Sequence, residues 1–350
     1  MSKTFYKALG NIETWPEISG ANPCEITYDD VLLVPQADTQ VASRVLPDIS
    51  IKLGPYLLTK PIIVAPMDTI CGEKMIRLMH SLGGIGVLPR GELKKNCQLC
   101  KQLTKEKVAA VYAIGLRDYL AQAKAFKKQG AKVLLLDVAH GGMKQVVEAA
   151  KEIQERLKLV VITGNIANYV QAMAYKKAGL KIARVGVGPG GLCITRLVAG
   201  AGVPQMAAVL ETAESGLTII ADGGIRKPAD FAKAIAAGAS LIMIGSLLAG
   251  TEETPGEVIG GKKKARGQAS ADYMKDNGVA LGEFRAAEGI YTMVEVKGSA
   301  EHVISDLAAG LRSAMSYTGA ANIKEFQEKA EFVLVSKATI RENQAHILWE

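Results

Sequence analysis

The stretch Val133-Leu134-Leu135-Leu136-Asp137, then Lys144 to Leu157 with apolar residues at helical spacing, then Leu159-Val160-Val161-Ile162-Thr163-Gly164, reads as strand, helix, strand. Neither apolar run alternates with polar residues. Continuous apolar runs suit strands buried on both faces, the condition of a parallel sheet covered by helices. Runs of this kind recur on both sides: Pro61 to Met67, Gly84 to Leu88 and Val108 to Ile114 before it, and Ala183 to Val187, Leu217 to Asp222 and Leu241 to Gly245 after it. Intervening segments such as Asp118 to Gln129 and Pro228 to Ala237 again show helical spacing. Eight runs in this rhythm predict an α/β fold, a closed (β/α)8 TIM barrel, in preference to an open doubly wound sheet.

On this reading residues 1–350 form a single barrel domain. An N-terminal extension covers about residues 1–60, and from about 256 to 350 a flap excursion from the catalytic rim leads to a C-terminal region with a last helix over Val303 to Tyr317. Composition agrees: 49% of residues are hydrophobic and 22% charged, and the 36 glycines follow no collagen period, which excludes disordered and fibrous classes. No apolar run approaches the roughly 20 residues of a membrane span, and the N-terminal Met1 to Lys7 lacks a signal peptide's apolar stretch. A soluble, cytoplasmic protein is expected.

Forty-two basic against 35 acidic residues give a net charge of +7, spread along the chain, with only 5% aromatics. That pattern suits a small anionic ligand such as a phosphate ester better than nucleic acid. The Lys262-Lys263-Lys264 run reads as a solvated loop. Five cysteines, an odd number, argue for reduced thiols. Cys97 and Cys100 lack the partners of a zinc site and read as packing. His80 and His302 read as structural, His346 as terminal and inert, and His140 as a rim candidate beside Asp137.

Chemistry in such barrels gathers where the strands end. After the sixth run comes Gly186-Val187-Gly188-Pro189-Gly190-Gly191-Leu192-Cys193-Ile194-Thr195-Arg196, whose glycines let backbone amides or carbonyls approach a ligand closely. Cys193 then precedes a helix start, where a thiol becomes nucleophilic; its alternative is a small buried hydrophobe. Thr195 and Arg196 add a hydroxyl and a charge nearby. Asp222-Gly223-Gly224 and Gly245-Ser246 end the last two runs, where backbone amides commonly bind phosphate. Asp68 and Asp137, each at a strand end, read as exposed hydrogen-bond acceptors or as helix caps.

Several segments in order resemble the IMP dehydrogenase and GMP reductase family over about residues 27–340: Tyr28 to Pro35, Ala65-Pro66-Met67-Asp68-Thr69, Gly84 to Val87, Gly164-Asn165, Gly186 to Arg196, Ala221 to Arg226 and Gly245 to Glu253. The resemblance implies a cytoplasmic homotetramer of purine nucleotide salvage whose loop cysteine attacks C2 of a purine monophosphate. Carried over, Cys193 is the nucleophile, Asp222 holds the ribose, and Gly224, Gly245 and Ser246 surround the phosphate. The substrate site also takes Met67, Gly191, Gly223, Gly267, Gln268, Arg285, Ala286, Ala287 and Gly289. Asp137, Ala139, His140 and Asn165 face the nicotinamide cofactor, and Gly188, Gly190 and Cys193 offer carbonyls to potassium (K+).

Within the family the dehydrogenase passes hydride from C2 of IMP to NAD and activates water with an Arg-Tyr pair on a flap. The reductase instead expels ammonia from C2 of GMP and takes hydride from NADPH. Gly267 to Gly289 contains no Arg-Tyr pair and is as short as the reductase segment, and Phe284-Arg285-Ala286-Ala287-Glu288-Gly289 resembles the reductase's nucleotide-binding stretch. No inserted CBS regulatory pair is present. Reductive deamination of GMP with NADPH is therefore expected, with Thr195 and Glu288 as the proton-transfer pair. Departures are Gln268 for a methionine beneath the base, Gly191 for a phosphate-holding serine, Ile290 for lysine, and Ala139-His140-Gly141, which is closer to the dehydrogenase. The alternatives are an IMP dehydrogenase without regulatory domains and a catalytically silent purine-nucleotide sensor.

Overall fold

The computed structural model describes residues 26–336 and 339–343. Before the barrel come β1 (Val31–Leu33) and the hairpin β2 (Ile51–Leu53) and β3 (Tyr56–Leu58). The barrel then runs β4 (Ile62–Val64), α1 (Glu73–Ser81), β5 (Ile85–Leu88), α2 (Leu93–Lys105), β6 (Ala110–Ile114), α3 (Tyr119–Lys128), β7 (Val133–Asp137), α4 (Lys144–Leu157) and β8 (Val160–Ile166). It continues with α5 (Tyr169–Lys177), β9 (Ile182–Val185), α6 (Thr195–Val198), α7 (Gln205–Ala213), β10 (Thr218–Asp222), α8 (Pro228–Ala236) and β11 (Leu241–Ile244). Strands β4 to β11 pair in parallel and close, β11 against β4. All eight apolar runs are barrel strands, and no inserted domain separates them.

The run that opened the sequence reading shows why. In β7, Val133 and Leu135 pack inside the barrel while Leu134 and Leu136 pack outward under the helices. Both faces are dry from Val133 to Leu136, so these four positions are aliphatic, and each fully buried aliphatic chain contributes about 1.5–3 kcal/mol. The facing helix α4 buries Val146, Ala149, Ala150, Ile153 and Leu157, a single stripe at helical spacing. It stops at Lys158, whose left-handed φ of +51° ends the turn.

Leu53 and Leu58 of the β2–β3 hairpin are fully buried against the inner core, closing the mouth opposite the strand ends. Beyond the barrel lie β12 (Lys262–Arg266), α9 (Ala271–Asp276), β13 (Tyr291–Glu295), α10 (Ala300–Tyr317), α11 (Ile323–Lys329) and β14 (Phe332–Leu334). β14 pairs antiparallel with β1, so the two flanking segments join. No helix among the described residues is long and apolar enough to cross a membrane.

The Lys262 to Lys264 run departs from expectation. It is a strand, paired antiparallel with β13, and not a solvated loop. Lys263 is buried, and its ammonium donates to the carbonyls of Thr251 (2.9 Å), Thr254 (2.9 Å) and Glu252 (3.2 Å). Three protons meet three carbonyls, which makes the burial tolerable. The ammonium thus anchors the flap to the turn after β11.

Candidate active site

The loop after β9 carries the thiol. The Cys193 N–H donates to the Gly190 carbonyl at 3.0 Å, tightening the turn. Cys193 Sγ lies 3.2 Å from Thr195 Oγ1, and that hydroxyl donates to Glu288 Oε2 at 2.8 Å. Sulfur, hydroxyl and carboxylate form one line, all half-buried. Main-chain bonds hold Glu288 in place: the Ile194 N–H donates to the Glu288 carbonyl (2.8 Å) and the Ile290 N–H to the Leu192 carbonyl (3.0 Å). Arg196 turns away instead of attending the thiol, donating to the Val203 carbonyl at 2.6 Å.

Glycines bring the other rim loops together. A Cβ on Gly245 would lie 2.9 Å from Met67 Sδ, one on Gly191 3.1 Å from Ser246 Oγ, and one on Gly267 3.3 Å from the Leu192 carbonyl. Gly223, at φ +86°, leaves only 3.0 Å between a Cβ and the Gly190 nitrogen. Gly223→Ala therefore strains the backbone and displaces the Gly188–Gly191 turn together. If these turns hold the nucleotide that the resemblance implies, the expected result is a rise in its KM of about tenfold, equivalent to the 1–2 kcal/mol of a left-handed side chain. Steady-state kinetics with the nucleotide varied checks it; an unchanged KM would separate this turn from binding.

Behind Gly224 sits the ring of Tyr28, 3.3 Å from where its Cβ would be. The neighbouring Asp29 pairs with Arg226 (2.7 Å) and Lys227 (3.3 Å). Burial pushes the Asp29 carboxyl up, but these two cations outweigh it and hold it below the usual carboxylate range. The Tyr28-Asp29-Asp30 segment is thus a brace for the loop after β10.

Arg184, on β9, joins the two strand-end carboxylates: its Nη1 lies 2.8 Å from Asp137 Oδ1 and its Nε 2.8 Å from Asp222 Oδ2. Burial opposes its charge, yet Asp222 and Asp137 outweigh that and raise its pKa beyond the ordinary arginine value. Arg90, after β5, adds an ion pair to Asp137 at 3.0 Å. Asn165 Nδ2 donates to Asp222 Oδ2 (2.7 Å) and to the Gly186 carbonyl (2.7 Å). Asp137 is therefore buried and doubly paired, not an exposed acceptor, because the arginine inside β9 needs counter-charge. Asp222 Oδ1 accepts no hydrogen bond among the described residues and remains available to a sugar hydroxyl.

Ala139 and His140 are exposed on the loop after β7. Arg285 and Ala286 are exposed, Arg285 in a turn closed by paired bonds with Gly282 (3.1 and 3.0 Å), whereas Ala287 is half-buried and Gly289 buried. Gln268 Nε2 donates to the Pro66 carbonyl, placing this side chain next to Met67. The carbonyls of Gly188 and Cys193 accept no hydrogen bond among the described residues, whereas that of Gly190 accepts from the Cys193 N–H. No cluster of three or more His, Cys, Asp or Glu suited to a metal occurs among those residues. Cys100 is buried and Cys97 half-buried on α2, as packing requires. His80 Nδ1 accepts from the Ala109 N–H at 3.4 Å, whereas His302, expected to be structural, faces solvent on α10. His346 lies outside the described residues.

Sequence reasoning missed Arg90, Arg184, Arg266 and Tyr273. Arg184 carried a signal: a charge inside an apolar run demands a buried partner. Arg90 lies two residues beyond the run ending at Leu88, near a strand end as Asp68 and Asp137 are.

A profile of the IMP dehydrogenase / GMP reductase domain matches residues 25–346. The inosine-5'-monophosphate dehydrogenase of Cryptosporidium parvum is 33% identical over 387 residues, covering 92% of this chain and 94% of that protein. The one of Aquifex aeolicus is 43% identical over 269 residues, 72% of this chain and 55% of its own, so the chain spans about half of that relative. Among solved structures, a variant GMP reductase from Trypanosoma brucei in complex with guanosine 5'-monophosphate superposes with a TM-score of 0.86 at 26% identity, covering 95% of this chain and 99% of its own. With the profile spanning nearly the whole chain, the protein belongs to the IMP dehydrogenase / GMP reductase family of oxidoreductases.

Proposed function

We propose that the protein converts GMP to IMP and ammonia with NADPH, through a bond between Cys193 Sγ and purine C2. The observation that carries this reading is the line from Cys193 Sγ through Thr195 Oγ1 to Glu288 Oε2, at 3.2 and 2.8 Å. An amine leaves only with a proton, and Glu288 relays one through the Thr195 hydroxyl. The thiolate adds to C2, the C2–N bond breaks with the amine protonated, and ammonia departs. NADPH, when bound, would supply hydride to the same carbon, and breaking the C–S bond would then restore the Cys193 thiolate. Asp222 Oδ1 orients the ribose and the glycine turns at Gly223, Gly224, Gly245 and Ser246 receive the phosphate. Potassium, held by the carbonyls of Gly188, Gly190 and Cys193, would stiffen the cysteine loop. Ala139, His140 and the half-exposed Arg90 offer the cofactor its contacts, since Asp137 and Asn165 are engaged within the protein.

A second reading, IMP dehydrogenation with NAD, is favoured by the names of the relatives and by Ala139-His140-Gly141. Absorbance at the reduced-nicotinamide band separates the two. With potassium, GMP plus NADPH should lose absorbance; a gain with IMP plus NAD instead would establish the dehydrogenase, and no change in either mixture the silent sensor. Glu288→Gln should lower kcat for GMP by about 10²–10³-fold while leaving hydride transfer from IMP little changed. Equal losses in both half-reactions would remove Glu288 from proton delivery.

A further inference from the structure

Arg266 is the last residue of β12, immediately before Gly267 and Gln268, and its side chain is only 10% exposed. Asp68 follows Met67 at the opposite edge of the same site. The guanidinium meets Asp68 Oδ2 through Nη2 (2.6 Å) and Nε (3.1 Å), and its Nη1 meets Asp272 Oδ2 (2.6 Å) and Asp276 Oδ2 (2.5 Å). Its main-chain N–H donates to Thr69 Oγ1 at 3.0 Å, and the Tyr273 ring lies 5.3 Å away. Each of the three guanidinium nitrogens is thus engaged by a group of the barrel loop or of α9. Such a fork fixes orientation as well as distance, which a lysine ammonium does not.

From Arg266 a short chain of main-chain bonds leads to the proton line. Gly267 N–H donates to the Ile290 carbonyl (3.0 Å), and the N–H groups of Glu288 and Gly289 both donate to the Ala269 carbonyl (2.9 and 3.1 Å). Glu288 in turn reaches Thr195. No residue in this chain is free to shift alone. We propose that Arg266, through its ion pair with Asp68, is a positioning residue that locks the flap to the barrel and sets the Glu288 carboxyl against Thr195. The inference rests on the reading of Glu288 as proton donor.

The test uses Arg266→Lys, Asp68→Asn and Glu288→Gln in the full chain, with GMP reduction as the assay. Arg266→Lys keeps the charge and loses the fork; kcat should fall about 10²-fold, the scale of an ångström-sized misplacement, with KM for GMP changed by less than about threefold. In a Glu288→Gln background the same substitution should cost nothing further, because Arg266 acts only through that carboxyl. Asp68→Asn, which leaves every strand intact, should show the same non-additivity if Arg266→Lys fails to fold. Losses that multiply with Glu288→Gln, or an undiminished kcat in both variants, would overturn the positioning role. A Glu288→Gln enzyme with full kcat would instead overturn the proton-donor reading itself, and with it this role.

Discussion

Cys193→Ala should lose at least about 10⁴-fold in kcat for GMP while its Kd for the nucleotide changes by less than about threefold. The asymmetry follows from what the side chain touches. Its polar neighbour is the Thr195 hydroxyl, whereas Asp222, Gly223, Gly224, Gly245 and Ser246, to which the proposal gives the sugar and phosphate, lie at or after the ends of β10 and β11. Binding and bond formation therefore separate. Cys193→Ser should not rescue, since a hydroxyl is a far weaker nucleophile near neutral pH and Thr195 is already committed to Glu288. Intact-mass measurement during turnover should find the nucleotide attached to the wild-type chain and to neither variant. Turnover surviving in Cys193→Ala would end the covalent reading for GMP and IMP alike, since both proposed reactions begin on this sulfur.

How far the sequence discloses this arrangement depends on what each segment must hide. Strands β4 to β11 bury most positions of both faces, so apart from a few charged or polar residues near their ends their composition is forced and their boundaries follow. β12 is the opposite case. At Lys262 and Lys264 it presents lysines to its surroundings, and at Lys263 it buries one against carbonyls that no side-chain pattern announces. Main-chain acceptors are invisible to periodicity, which is why a strand reads as a loop. The site divides similarly. Cys193 and Thr195 lie two residues apart and share a loop, so their proximity needs only local geometry. Glu288 reaches them from 93 positions away, and it was legible only through resemblance to a known segment. Asp137 and Asp222 were legible as strand ends; that a single arginine joins them was not, because Arg184 interrupts its run without indicating which neighbours answer its charge.

That arginine carries the largest stability effect expected in this molecule. Arg184→Met leaves Asp137 with Arg90 alone and Asp222 with Asn165 alone, two carboxylates at the barrel rim that have lost their shared counter-charge. Removing one member of a buried ionic cluster costs about 3–5 kcal/mol, on the order of 10 °C in Tm for a domain of this class. Urea unfolding of both proteins measures this deficit. Adding Asp137→Asn and Asp222→Asn to Arg184→Met should restore part of the loss, because neutral partners carry no unpaired charge. A deficit untouched by the two amides would mean that Arg184 contributes packing alone, and that the charge chain between the two strand ends is incidental to the fold.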